Sequence, residues 1–139
     1  MTYASLSDMV DRFGETEVAQ RTNRVDGLTV DLAVLERALG DADAQIDSYL
    51  ASRYTLPLVS TPTVLIRLAC DITRYHLFDD GVPETVRQRF EDAVSLLKKL
   101  ASGDVVLAGH ESAATAGDAT VYYSFSERAV TDDTMAGFA

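Results

Sequence analysis

The chain has 139 residues, 47% of them hydrophobic, and a formal net charge of −10 from 12 basic and 22 acidic side chains. That is room for one domain with a real core and too little for two ordinary ones, and no apolar run approaches the roughly 20 residues of a membrane helix. Gripping a DNA duplex needs Lys and Arg against phosphates, so the acidic balance argues against it; it suits a solvated surface, or a conduit wall past which DNA slides without sticking.

In chain order, Ser5 or Ser7 can cap a short helix through Phe13, with Leu6, Met9, Val10 and Phe13 at helical spacing and Gly14 as its stop. The opening residues have neither a basic n-region nor an h-region, so the chain reads as soluble and made in the cytosol. A second short helical turn covers Glu15 to Thr22, and Asn23 to Val30 reads as a loop with a turn at Asp26-Gly27. With Gly27 at the sixth position of an EF-hand loop, the first, third and twelfth positions fall on Thr22, Arg24 and Ala33, which supply no carboxylate.

Asp31 caps a long helix to about Ser52 with the stripe Leu32, Leu35, Leu39, Ala42, Ile46 and Tyr49. Gly40 interrupts it, and its expected use is to let another helix approach closely. Pro57 and Pro62 bracket an extended connector. The next helix, Thr63 to Phe78, turns Val64, Leu65, Leu68, Ala69, Ile72 and Tyr75 inward, while Arg67, Asp71 and Arg74 fall at spacings of four and three that let them pair along one face. After the break at Asp79-Asp80-Gly81, Pro83 opens a last long helix to about Ser102, with Val86, Phe90, Ala93, Leu97 and Leu100 inward and Gly103 as its end. The fold expected is mainly α: an antiparallel bundle of three long helices, with the two short N-terminal helices covering one end.

Residues 104–139 differ in character. They hold six acidic residues and one basic residue, Arg128, and begin with a stretch too small and polar to build a core. The domain division expected is therefore a helical body over 1–103 and an acidic arm over 104–139, mobile in the free monomer. Val121, Tyr123 and Phe125 alternate with Tyr122, Ser124 and Ser126 as in a strand, whose partner edge is either Val105 to Leu107 or another subunit.

Groups able to carry chemistry are few. Cys70 is the single cysteine and reads as a small buried hydrophobe, and His76 and His110 have no ligand or nucleophile partner visible in the sequence. Asp43 and Asp47, four apart, read as a solvated face. A hydrolase would need a pocket joining His76, Asp71 and Cys70. No phosphate loop, G-x-S-x-G or C-x-x-C occurs, so no cofactor, metal or enzymatic activity is expected. Arg53, Tyr54, Leu56 and Pro57, at the exit of the long helix, either form a contact surface or close the end of their own bundle.

The opening Tyr3-Ala4-Ser5-Leu6 with Asp8, Met9, Arg12, Phe13 and Gly14, the block from Ile46 to Leu58, and that from Leu68 to Tyr75 resemble a Mu-like phage and prophage family catalogued as of unknown function. Val86, Arg89, Phe90, Ala93 and Leu97 fit its next helix, and a final match at Met135 to Phe138 adds Phe138 to the candidate contacts. The resemblance implies a virion neck protein similar to head-tail connectors, made in the bacterial cytoplasm. It would form a homo-oligomeric ring, taken as a dodecamer, between the portal protein and a tail-side neck or terminator protein, with DNA only passing through the lumen. Arg53, Tyr54, Leu56, Pro57, Arg67, Asp71, Arg74, Tyr122, Tyr123, Phe125 and Phe138 are the expected interface residues. The alternative from another class is an acidic helical regulator that blocks a nucleic-acid-binding partner. A tail-terminator or tail-tube protein would be rich in β-structure, which the helical stripes oppose.

Overall fold

The structure, a computed structural model, describes residues 2–78 and 81–108. The expected strand near 120–126, and with it Tyr122, Tyr123, Phe125 and Phe138, lies outside the described residues. What is described is mainly helical, with five helices: α1 (Leu6–Phe13), α2 (Glu15–Thr22), α3 (Leu32–Leu50), α4 (Thr63–Leu77) and α5 (Glu84–Ser102).

Local chemistry sets the helix ends. Ser5 and Asp8 form a reciprocal capping box at α1, which satisfies two backbone donors that the first turn leaves over. Asp31 accepts from the Val34 N–H at the start of α3, and Pro62 and Pro83 stand just before α4 and α5. Gly14 at φ +89° and Gly103 at φ +90° end α1 and α5 in a region that side chains with a Cβ avoid.

The direction of the helices follows from their contacts. Tyr75, late in α4, stacks on Phe90, early in α5, with ring centroids 3.9 Å apart, so these two helices run in opposite directions. Arg24, before α3, donates to the Leu77 carbonyl at the end of α4, which makes α3 antiparallel to α4 as well. The exits of α3 and α5 meet, since a Cβ at Gly103 would lie 2.7 Å from the Arg53 guanidinium carbon. All three long helices pack on one another, and α1 and α2 fold back against α4 and α3 respectively.

α4 is the most enclosed element: Leu65, Leu68, Ala69, Cys70, Asp71, Ile72, Thr73 and Leu77 are all buried. On α3 the stripe is buried from Leu35 through Leu39, Ala42 and Ile46 to Leu50, but Leu32 is 48% exposed and Tyr49 is only half-buried. The stripe is thus shorter than its spacing predicts, because nothing described covers the first turn of α3.

Two further expectations are corrected. Gly40 is exposed, and a Cβ there would meet nothing within 4 Å, so it does not serve close helix approach within the described residues. Residues 105–107 are not a strand. Instead Leu107 is 3% exposed and belongs to the main core, and its N–H donates to the Tyr54 hydroxyl at 3.0 Å. The core therefore includes Leu107, past the end of α5.

Two measurements follow. Leu107→Ala lowers stability by about 2 to 4 kcal/mol, the range for emptying a core leucine site, whereas the neighbouring Val106→Ala changes it by less than about 0.5 kcal/mol; the urea midpoint of each variant reads the difference. Thr73 is fully buried and its hydroxyl has no hydrogen-bond partner among the described residues. Thr73→Val accordingly raises stability by about 1 kcal/mol by removing that unmet group, and a lowered thermal midpoint would contradict this.

Candidate functional site

The N-terminal strap is held by two carboxylates one turn apart on α3. Tyr3 is 3% exposed; its backbone N–H donates to Asp43 Oδ1 at 3.0 Å, and its hydroxyl donates to Asp47 Oδ1. Asp43 and Asp47 are therefore not a free solvated pair but the two halves of a clamp on one residue. Burial, and then the bond to Asp47, push the Tyr3 hydroxyl above its ordinary range. Burial also raises Asp43, partly offset by the Tyr3 N–H that stabilises its charge. Asp43 follows Leu39 by four residues and precedes Ile46 by three, so a charge at the rim of the stripe was the available sign that a partner had to exist.

The residues Arg67, Asp71 and Arg74 do not pair with one another, and the expectation of a row along α4 is corrected. Asp71 is 5% exposed and accepts from Arg89 Nε on α5 at 3.0 Å. Arg74 grips Glu17 on α2 with two bonds, at 2.7 and 3.0 Å, and lies over the Phe13 ring at 4.4 Å. Only Arg67 is exposed, with no ion pair among the described residues. Arg74 reaches α2 because its long side chain can leave a crowded α4, and Asp71, too short to do so, is met by Arg89 from α5.

The exit of α3 divides in the same way. Tyr54 is 4% exposed and accepts from the Leu107 N–H, so it closes the end of its own bundle. Arg53 is half-buried beside Gly103, and Leu56 packs partly against the core. Pro57 is exposed, and Val59 just after it is fully exposed. Sequence reasoning passed over Val59, whose apolar side chain between two prolines was the signal.

Apolar exposure is concentrated at the two ends of the bundle. Val25 (98%) and Leu28 (79%) stand in the loop before α3; Val59 and Val106 (58%) stand beyond the exits of α3 and α5, at the opposite end. Since α3 has 19 residues, these tips are separated by about 28 Å of helix.

Conventional catalytic groups are not brought together. Cys70 is fully buried, and burial pushes its thiol up to about 12. His76 is exposed and lies edge-on to Tyr75 and Phe90, while Asp71 is taken by Arg89. Among the described residues no cluster of three His, Cys, Asp or Glu side chains could hold a metal, and no helix is long and apolar enough to cross a membrane.

A helical body whose N-terminal tyrosine is clamped to the long helix joins two of the sequence blocks noted above, and comparison with known proteins gives them a family. Residues 3–123 match the family described as Bacteriophage Mu, Gp36, and the chain belongs to that family of phage proteins. It is 37% identical over 105 residues to the Mu-like prophage FluMu protein gp36 of Haemophilus influenzae, covering 76% of this chain and 74% of that one. It is 35% identical over 105 residues to gene product J of Escherichia phage Mu, with 74% of each chain covered.

The clamp yields a prediction with a sign. Tyr3→Phe removes a hydrogen bond to a carboxylate and costs about 1.5 kcal/mol. Asp43 has a raised folded-state pKa, so its favourable contribution is complete below the unfolded value of about 4 and is lost as pH rises through the folded value. Asp43→Asn keeps an oxygen for the Tyr3 N–H without the buried charge, and leaves stability at pH 7 equal to or above wild type, with a flatter slope on the acid side. Asp43→Ala leaves that N–H unpaired and destabilises. Thermal unfolding of the three variants between pH 4 and 8 checks the order.

Proposed function

We propose that this chain is a structural neck protein of a Mu-like phage particle, a head-tail connector that assembles as a ring between the portal and the tail-side neck or terminator protein and helps close the filled head. The observation that carries this reading is the placement of exposed apolar tips at opposite ends of one rigid bundle, Val25 and Leu28 at one end and Val59 and Val106 at the other. A subunit stacked axially between two different neighbours needs a contact surface at each end, and apolar side chains left exposed there gain by burial against a partner. Membership of the Mu Gp36 family supports a phage setting. A ring also needs two unlike flanks that meet head to tail. Exposed Arg67 on α4 is the interface candidate with its charge still uncommitted among the described residues.

In this reading the acidic balance keeps DNA moving through the lumen, since a wall rich in phosphate-binding cations would hold it. The particle neck is then the working location, after synthesis in the bacterial cytoplasm. The regulator alternative loses support from the clamp: Asp43 and Asp47, two of the four acidic residues of α3, are committed to Tyr3.

The test is genetic and structural together. Deleting the gene should give filled or leaking heads without tails, alongside free tails, and labelled protein should locate to the neck by electron microscopy. Val25→Glu and Val59→Glu should each block joining at one end only, with thermal stability unchanged because neither side chain is in the core. Normal virions from the deletion strain, or purified particles lacking the chain, would sink the proposal.

A further inference from the structure

A groove of about 330 Å³ lies between the N-terminal strap and α3. Leu6, Leu32 and Leu35 give it an apolar wall, Gly40 leaves one side open, and its charged side chains, Glu36 and Asp43, are both acidic. Leu6 and Leu32 stay 36% and 48% exposed there, and a Cβ at Gly40 would meet no atom within 4 Å. Asp43 is committed to Tyr3, which leaves Glu36, exposed and in no ion pair among the described residues, as the carboxylate open to a partner. At that volume, near the lower limit of ligand pockets, the groove admits a few side chains and not a whole helix.

The exit of α5 carries a tip of matching kind. Val105 and Val106 are 36% and 58% exposed. The Val105 N–H donates to the Lys99 carbonyl at 3.3 Å, which seats the tip on the last turn of α5, where Lys98 and Lys99 stand. Both lysines are exposed and in no ion pair among the described residues. The tip is thus apolar with free positive charge, and the groove apolar with free negative charge. The remaining charges nearby are opposite in sign as well, Asp104 in the tip and Arg37 beside Glu36.

We infer that the α5 tip of one copy docks in the groove of a second copy, Val105 and Val106 against Leu6 and Leu32, with the lysine pair facing Glu36. A chain cannot fill its own groove in this way. Leu107 is held at the exit of α3 by its bond to the Tyr54 hydroxyl, and the Cα of Val106 is within about 4 Å of that of Leu107. Gly40 lies ten residues back from Leu50, the last residue of α3, which is about 15 Å of helix. While Leu107 is seated, the tip that enters a groove comes from another molecule.

Tip and groove are different surfaces, so the contact is head to tail, and repetition gives a closed ring or an open chain according to the rotation between copies. It supplies the two unlike flanks that the proposed neck ring requires, and it rests on that reading for its role although not for its existence. Val106 then serves the flank, and Val59 remains for the neighbour at that end of the bundle.

Cross-linking on the full chain tests the contact. Cys70 is the single cysteine and is fully buried, so an introduced surface thiol is the reactive one. Gly40→Cys and Val106→Cys are prepared separately, then mixed with a short bismaleimide. The mixture should give at least about ten times more linked dimer than either preparation alone, because a head-to-tail contact never brings two copies of the same site together. Adding Glu36→Lys to the first partner should cut the yield at least about tenfold, and Lys98→Glu with Lys99→Glu on the second should restore it. Thermal unfolding reports that each variant is folded, and the tip variants probe the contact independently if an α3 variant is not. No linked dimer in the mixture, equal yields from the separate preparations, or a yield indifferent to the charge reversals would each overturn the inference. The neck reading fails on a different result, the absence of the chain from purified particles, which leaves this cross-link untouched.

Discussion

The enclosure of α4 is the constraint from which the other placements follow. A helix with packing on most of its sides cannot hydrate the polar groups on those sides, so each of them must find a partner on a neighbouring element or remain unmet, while Arg67 and His76 keep to the exposed side. Asp71 draws Arg89 in from α5, and Arg74 draws Glu17 from α2 while covering Phe13 of α1. The charges that look like surface decoration in the sequence therefore fix how α5 and the N-terminal helices sit on the bundle. Arg89 keeps its side chain 48% exposed, which limits the desolvation cost of the pair, while Asp71 gives up nearly all its water.

How much of this was legible depends on the range of the interaction that decides it. Helix ends were readable because Ser5, Asp31, Gly14 and Gly103 act within a few residues of themselves. The core face of α5 was largely readable from period, with Phe90 half-buried; on α4 the period gave Leu65, Leu68, Ala69 and Ile72, but Val64 and Tyr75 are half-buried and Asp71, Thr73 and Leu77 are buried on sides it did not predict. Partner choice was not: Arg74 meets Glu17 across 57 positions and Tyr3 meets Asp43 across 40, and i,i+3 and i,i+4 spacing cannot reveal that a closer-fitting neighbour exists in space. Leu107 was lost for a different reason: Val105, Val106 and Leu107 form an unbroken apolar run, which offers an edge strand and no periodicity to show which of the three turns inward. Tyr54 was half legible; its place at a helix exit was plain, but the donor that takes its hydroxyl comes from 53 residues further on.

The same distinction separates the candidate contact residues. Side chains with the chemistry of an anchor, such as Tyr54 and Arg74, are consumed in building the monomer. Of the candidate contacts among the described residues, Arg67 and Pro57 stay exposed, and the exposed large apolar side chains are valines and leucines rather than aromatics. Aromatic and arginine content is thus a poor guide to surface in a chain this small, because a body of about a hundred residues has few large side chains to spare from its own core.

The Leu107 anchorage gives the arm a root that is mechanically separate from the last turn of α5. Were the chain free from Gly103 onward, tension along it would peel α5 from its end, one hydrogen bond at a time. With Leu107 seated in the core and its N–H on Tyr54, a load on the chain beyond it meets the exit of α3 before it meets the last turn of α5. The last turn of α5 is thereby separated from whatever acts on the chain beyond Leu107.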